Sequence, residues 1–222
     1  MGQASAARGP GSIGPLRLHG DRRRRRHGEE VPPGDDIVAL PEFLAGPRVL
    51  LRRWVPADVP ALSASVARNL EHLRPWMPWI ADEPMRDIER RTLVERWEQT
   101  WLAGGDVVLG VFLGGEVVGS TGLHRRRGPH GLEIGYWIDA AYTGRGLATE
   151  VAGVLTDAAF TVPGVTFVEI HHDRRNAASA AVPRKLGYRF VGEQRDRVDA
   201  PGEEGIDCTW RMDLASWRAL PR

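Results

Sequence analysis

Cysteine and lysine are nearly absent from this 222-residue chain, which has one of each, Cys208 and Lys185. A single cysteine excludes an intramolecular disulfide, and a reducing cytoplasm is the simplest setting for such a chain. Arginine carries almost all of the positive charge, which reads as coding bias in a GC-rich genome rather than as function. Excess charge of one sign is also lacking. The formal net charge is +1, so the whole molecule does not advertise nucleic acid or an anionic membrane as its partner. No apolar run approaches the roughly 20 residues that a bilayer-spanning helix needs. The spacing of His, Cys and carboxylate side chains offers no metal site, and no Ser–His–Asp or Cys–His order stands out. No internal repeat is visible.

Residues 1–36 have few large apolar side chains and are rich in Gly, Pro, Arg and Ser. Such a segment cannot bury enough surface to offset its ordering entropy, so it is expected to be a disordered extension. Residues 37–222 then remain for one domain. No apolar core follows the basic residues of the extension, which excludes a signal peptide. The run Arg22, Arg23, Arg24, Arg25, Arg26 could make weak phosphate contacts to RNA, although such a run is more often simply solvated.

The rest of the chain alternates between strand and helix patterns. Residues 48–54 read as a strand bounded by Gly-Pro and Pro. Val59, Leu62, Val66 and Leu70 recur at helical spacing within 58–70. A proline-rich link at 73–84 precedes a helix over 87–103, which Gly104 and Gly105 end. Strands over 107–113 and 116–123 flank Gly114-Gly115, a two-residue hairpin signal. Further strands are expected over 132–138, 166–172, 188–197 and 206–214, with helices over 147–160 and from Asn176. The order predicts a mixed α/β (α+β) domain, its central sheet largely antiparallel, with about seven strands flanked by about four helices.

The most informative stretch is Gly135-Tyr136-Trp137-Ile138-Asp139-Ala140-Ala141-Tyr142-Thr143-Gly144-Arg145-Gly146-Leu147-Ala148-Thr149-Glu150. A strand runs into a short loop with two glycines one residue apart, and a helix opens at about Leu147. The glycines let the backbone turn sharply and approach a ligand closely. The helix start aims unpaired N–H groups and a positive dipole end at whatever lies there, which is a site for phosphate or pyrophosphate. The dinucleotide fingerprint would need a further glycine at Thr149, and a P-loop would need a lysine at Leu147. The anion must therefore be met by main-chain amides.

In the frame Thr143-Gly144-Arg145-Gly146-Leu147-Ala148 this loop resembles the acetyl-CoA loop of the GNAT superfamily of N-acetyltransferases. Thr143 departs from the Gln or Arg that the wider family prefers; the RimJ/RimL-like branch, which modifies protein N-termini, is looser there. A second segment, from Asn176 through Ser179 to Lys185-Leu186-Gly187-Tyr188, is similar to the family's Asn-x-x-Ser … Lys-Leu-Gly-Phe stretch. It also carries a good helix N-cap in Asn176 and a good left-handed C-terminal residue in Gly187. A third, from Asn69 to Trp79, is similar to the Asn-x-x-x-Leu … Trp-x-x-Trp stretch of the RimJ/RimL-like branch. The resemblance covers residues 49–217 and makes 37–222 a single GNAT domain.

The resemblance implies acetyl-CoA as co-substrate, no metal, and direct attack by an amine in a ternary complex. The backbone N–H groups of Gly144, Arg145, Gly146, Leu147, Ala148 and Thr149 would hold the diphosphate. A bulge near Tyr136, Trp137 and Ile138 would free backbone groups for pantetheine, and an N–H there would stabilise the oxyanion. Asn176 would bond the pantetheine arm. Glu133, on the strand that leads into the site, is the first candidate base. It could also be a surface-facing strand residue, and His124, His171 and His172 are its rivals. His171 and His172, being consecutive, point to opposite faces, so only one can reach the site.

Many relatives outside this branch carry a tyrosine acid where this chain has Pro183. Ser179 would then give the leaving thiolate its proton, or it could merely cap its helix. Pro183 should kink or end that helix. Trp76, Met77 and Trp79 would line the acceptor pocket, or pack as plain core. The acceptor expected from the branch is a protein N-terminal amine, such as that of a ribosomal protein. The alternatives are a small-molecule amine (amino acid, polyamine or antibiotic) and a non-catalytic acyl-CoA-binding or RNA-associated module. The chain could work as a monomer or a homodimer.

Overall fold

Alternating apolar faces in the strands need cover on both sides, and the chain supplies it with helices from two separate regions. The computed structural model describes residues 40–221. The expectations for residues 1–36, the arginine run included, lie outside the described residues. Within them the strands are β1 Phe43–Ala45, β2 Val49–Arg53, β3 Val107–Leu113, β4 Glu116–His124, β5 Gly131–Ile138, β6 Phe167–Asp173, β7 Arg189–Arg195 and β8 Ile206–Asp213. The helices are α1 Val59–Arg68, α2 Leu70–Leu73, α3 Asp87–Leu102, α4 Leu147–Ala159, α5 Ala177–Lys185 and α6 Leu214–Ala219.

All eight strands form one sheet in the order β1-β2-β3-β4-β5-β6-β8-β7. Every pairing is antiparallel except β5 with β6. Along β3, Val107, Leu109 and Val111 enter one apolar cluster with Val151, Leu155 and Ala159 of α4. Val108 and Phe112 enter the other, with Leu62 and Val66 of α1 and Val94 and Trp97 of α3. The two-residue strand period thus sorts one element onto both faces.

The mixed, largely antiparallel fold is the expected one, with differences of detail. β1 has only three residues, too few to show a period. The first long helix divides at Asn69, whose φ of −110° leaves the helical region, giving α1 and α2. The link after Leu73 contains a 3₁₀ turn, Pro78–Asp82. The last strand stops at Asp213, and α6 follows it directly. Gly114 and Gly115 do form the two-residue hairpin, with φ of +58° and +91°.

Pro183 does not end its helix: α5 runs through it to Lys185. Proline has no N–H to offer the carbonyl one turn back, that of Ser179. A side chain from another element makes up the loss, since the Tyr136 hydroxyl donates to the Ser179 carbonyl at 3.2 Å.

Candidate active site

β5 and β6 run side by side only over their first halves. Their pairing extends from Gly131 opposite Phe167 to Ile134 opposite Ile170 and then stops. β5 stays paired with β4 to Ile138, and β6 stays paired with β8 to Asp173. The sheet therefore splits like a V between two intact halves. The expected opening is present, but its origin differs from the expected bulge. The β4–β5 register is unbroken, and the irregularities lie at Val111/Phe112 and Phe190/Gly192. The Gly135 carbonyl accepts from Thr121 of β4, and the Asp139 N–H donates to Val118 there. Strand alternation turns the N–H and C=O of Tyr136 and Ile138 the other way, toward the opening.

The glycine turn lies at the end of this opening. Gly144 and Gly146 have φ of +73° and +77°, a region that costs any other L-residue roughly 1–2 kcal/mol. A Cβ on Gly144 would meet nothing within 4 Å, and one on Gly146 would meet only Arg48 Nη2 at 3.7 Å. Open space, not packing, surrounds both. Gly146 is the N-cap of α4 and offers no side-chain acceptor to the N–H groups of Leu147, Ala148 and Thr149. The residues expected from sequence to grip a diphosphate share one helix start, where Gly144, Arg145 and Gly146 are exposed, Ala148 and Thr149 half-buried, and the Leu147 side chain buried. Arg145 leans over the Tyr142 ring at 5.1 Å.

Two anchors that sequence reading missed hold this turn. Before it, Asp139 accepts from Arg68 Nε at 2.6 Å and from the Ala141 N–H, while Asn69 Oδ1 accepts from the Ala140 N–H. After it, Glu150 accepts from the N–H groups of Arg48 and Val49 and from Arg48 Nε, and Arg48 Nη1 bonds the Arg145 carbonyl. Arg48 thereby neutralises the one acid in the first turn of α4, which would otherwise repel an anion.

The cleft is walled by residues 134–138, Thr143 and Ala148 of β5 and the turn with α4, by His171, Asn176, Ala178, Ser179 and Val182 of β6 and α5, and by His72, Leu73, Trp76 and Met77 of α2 and the link after it. Asn176 Oδ1 caps α5 by accepting from the Ser179 N–H at 3.0 Å. Ser179 Oγ lies 3.2 Å from the Tyr136 hydroxyl. Trp76 lines the cleft, but Trp79 does not: it is buried in the second core cluster, with its ring 6.4 Å from that of Trp137.

Glu133 is also off the cleft wall. It is 1 % exposed and ion-paired with Arg126 Nη2 at 2.8 Å and with Arg127. Burial favours its neutral form, but Arg126, His171 and Arg127 outweigh that and hold its carboxyl below the usual range. Parallel register sets it beside Glu169 of β6, and like charges side by side need cations. Arg127, Arg211 and His171 supply them to Glu169.

The three rival histidines have three different environments. His124 is buried beside Asp106 at 2.8 Å, away from the cleft. His172 lies on the face opposite His171; its Nε2 accepts from Trp210 Nε1, so its Nδ1 carries the proton and bonds the Asp173 carbonyl. His171 reaches the cleft with Nδ1 2.9 Å from Asp207 and Nε2 3.0 Å from Glu169. Two carboxylate partners require both ring nitrogens to be donors. Burial opposes that charge, but Asp207 and Glu169 win and push the pKa up to about 9. His72 is the remaining imidazole at the cleft; no hydrogen bond or ion pair engages it among the described residues. Nothing local in the chain signals it, because only tertiary packing brings α2 against the cleft.

The profile of the Acetyltransferase (GNAT) domain matches residues 48–189. The chain is 26 % identical over 155 residues, 69 % of its length and 85 % of the relative's, to "Putative ribosomal N-acetyltransferase YdaF" of Bacillus subtilis (strain 168). Its fold matches that of RimL, a ribosomal L7/L12 alpha-N-protein acetyltransferase solved with coenzyme A, with TM-score 0.72 and 20 % identity, covering 79 % of this chain and 99 % of that one. It also matches Mycobacterium smegmatis RimJ in complex with a CoA disulfide, with TM-score 0.67 and 23 % identity over 81 % and 88 %. The chain belongs to the GNAT acetyltransferase family and is an acetyl-CoA-dependent N-acetyltransferase.

Proposed function

We propose that this enzyme passes the acetyl group directly to the N-terminal amine of a protein, with ribosomal proteins as the acceptor class. The observation that carries the reading is the make-up of the cleft wall. It is open and largely apolar, with Trp76, Tyr136 and Trp137 among its lining; the described residues that line it include no Asp or Glu, and the charged group among them is the His171 imidazolium. A polyamine or aminoglycoside carries several ammonium groups and would need carboxylates there. A peptide N-terminus needs only one amine, kept neutral, with room for the chain behind it. The relatives named as ribosomal N-acetyltransferases support the same acceptor.

In this reading the amides of residues 144–149 hold the diphosphate of acetyl-CoA, and the Asn176 amide group bonds the pantetheine arm. The cleft-facing N–H groups of Tyr136 and Ile138 stabilise the oxyanion, a contribution of roughly 3 kcal/mol for one such donor. His72 takes the proton of the attacking amine, and Ser179 gives its own to the departing thiolate. Glu133 is assigned a buried counter-ion role, not that of base. Trp76 and Met77 contact the first residues of the acceptor, while Trp79 supports them from the core.

The test is free-thiol release from acetyl-CoA with a panel of peptides, the same peptides acetylated in advance, and polyamine, amino-acid and aminoglycoside acceptors. The peptides with free N-termini should be the best acceptors, and blocking the amine should abolish release. A preference for a small polyamine would refute the acceptor class. His72→Gln should lower kcat by roughly 10²–10⁴-fold, the usual contribution of a general base, whereas Glu133→Gln should cost stability before it costs rate.

A further inference from the structure

One phenol reaches across the cleft from the strand side to the helix side. The Tyr136 hydroxyl lies 3.2 Å from the Ser179 carbonyl and 3.2 Å from Ser179 Oγ. The carbonyl is available only because Pro183, one turn on, has no N–H to occupy it. Residues 136 and 179 both line the cleft. We propose that Tyr136 is the positioning residue for Ser179: during turnover its O–H swings from the Ser179 carbonyl to the serine oxygen at the same 3.2 Å, so that the serine's own proton turns into the cleft toward the sulfur of the leaving thiolate. This rests on the acetyl-transfer chemistry proposed above for Ser179.

A serine hydroxyl in a first helical turn otherwise tends to bond nearby backbone, which would point its proton away from a substrate. The Tyr136 proton has two acceptors and one hydrogen. Parked on the Ser179 carbonyl, it leaves Oγ free to rotate; moved to Oγ, it fixes the serine as a donor. Burial pushes the Tyr136 pKa above the ordinary tyrosine range, so the phenol is protonated at neutral pH and has a hydrogen to offer the serine oxygen. As the Ser179 proton passes to the thiolate sulfur, the serine oxygen takes another from a solvent water in the same step, so that no alkoxide is formed; Tyr136 stays neutral throughout.

The experiment compares Tyr136→Phe, Ser179→Ala, Pro183→Ala and the doubles Tyr136→Phe/Ser179→Ala and Tyr136→Phe/Pro183→Ala by thiol-release kinetics and thermal melting. Tyr136→Phe keeps the ring and should lower kcat roughly tenfold, the worth of one ordinary hydrogen bond, with KM for acetyl-CoA nearly unchanged. Adding it to Ser179→Ala should cost nothing more, because it acts through the serine. Adding Pro183→Ala should restore lost thermal stability, since the substituted backbone offers the Ser179 carbonyl the N–H that proline lacks, yet leave kcat low. An undiminished kcat in Tyr136→Phe, a further loss on top of Ser179→Ala, or full recovery of kcat in Tyr136→Phe/Pro183→Ala would each overturn the proposal. A wild-type enzyme that released no thiol with any amine would instead overturn the acetyl-transfer reading, and this inference with it.

Discussion

At Gly146 the requirement is set by backbone conformation and by the space above it. The residue sits at φ +77° with only Arg48 Nη2, at 3.7 Å, near the place of a Cβ. A side chain there would not disturb the core; it would occupy the region that the helix-start amides face. Gly146→Val should therefore cost only about 1–2 kcal/mol of stability, from the left-handed conformation, while titration calorimetry with acetyl-CoA should show heat abolished or reduced at least tenfold. Normal binding would remove the turn from the site. Arg48 belongs to the same scale. Its pairing with Glu150 and its bond to the Arg145 carbonyl tie the start of β2 to a turn almost a hundred residues away, a link that neither residue's neighbours announce.

Among the elements, the helical pair over the second core cluster depends on one buried ion pair. Arg90 of α3 is 2 % exposed, and its Nη2 meets Glu83, in the link before the helix, at 2.7 Å. A desolvated pair of this kind contributes little net stability, but breaking it leaves a bare charge in the core. Glu83→Ala should destabilise the fold by roughly 3–5 kcal/mol, measured by denaturant unfolding, while Glu83→Ala/Arg90→Met should recover most of the loss. Failure of the double variant to recover would mean that the pair also fixes the path of the link. That link carries Met77, which lines the cleft, so the element scale reaches the cleft wall.

Across the whole molecule, the two halves of the split sheet are joined by a charge network that spans β5, β6 and β8: Glu133, Glu169 and Asp207 against Arg126, Arg127, Arg211 and His171. His171 has an ordinary pKa of 6.5 and one of about 9 in the fold. A folded value above the unfolded one means stabilisation that is complete below pH 6.5 and lost as pH rises through 9, on the order of 3 kcal/mol. Glu133, Glu169 and Asp207 are depressed instead, so their stabilisation is present at neutral pH and lost as pH falls through their folded values. Melting temperature should thus be highest between about pH 4.5 and 6.5, the unfolded values of the glutamates and of His171, and fall on both sides. In His171→Gln the alkaline fall between pH 6.5 and 9 should flatten; an unchanged slope there would show that another group sets it.

What the sequence determined by itself was everything that depends on near neighbours along the chain. Gly144 and Gly146 define the turn because their backbone conformation is a local property; Asn176 caps α5 because an amide oxygen reaches the N–H three residues on; Gly114-Gly115 close the hairpin because both need positive φ. The strand and helix periods, also local, specified the mixed fold. Tertiary structure alone decided which side chains face one another. It buried Glu133 between two arginines, drew His72 and Trp76 against the cleft while sending Trp79 into the core, and let a tyrosine from β5 take the carbonyl that Pro183 leaves free. The contacts that shape the cleft join residues 43 to 71 positions apart, and burial then sets their charge; no local period encodes either.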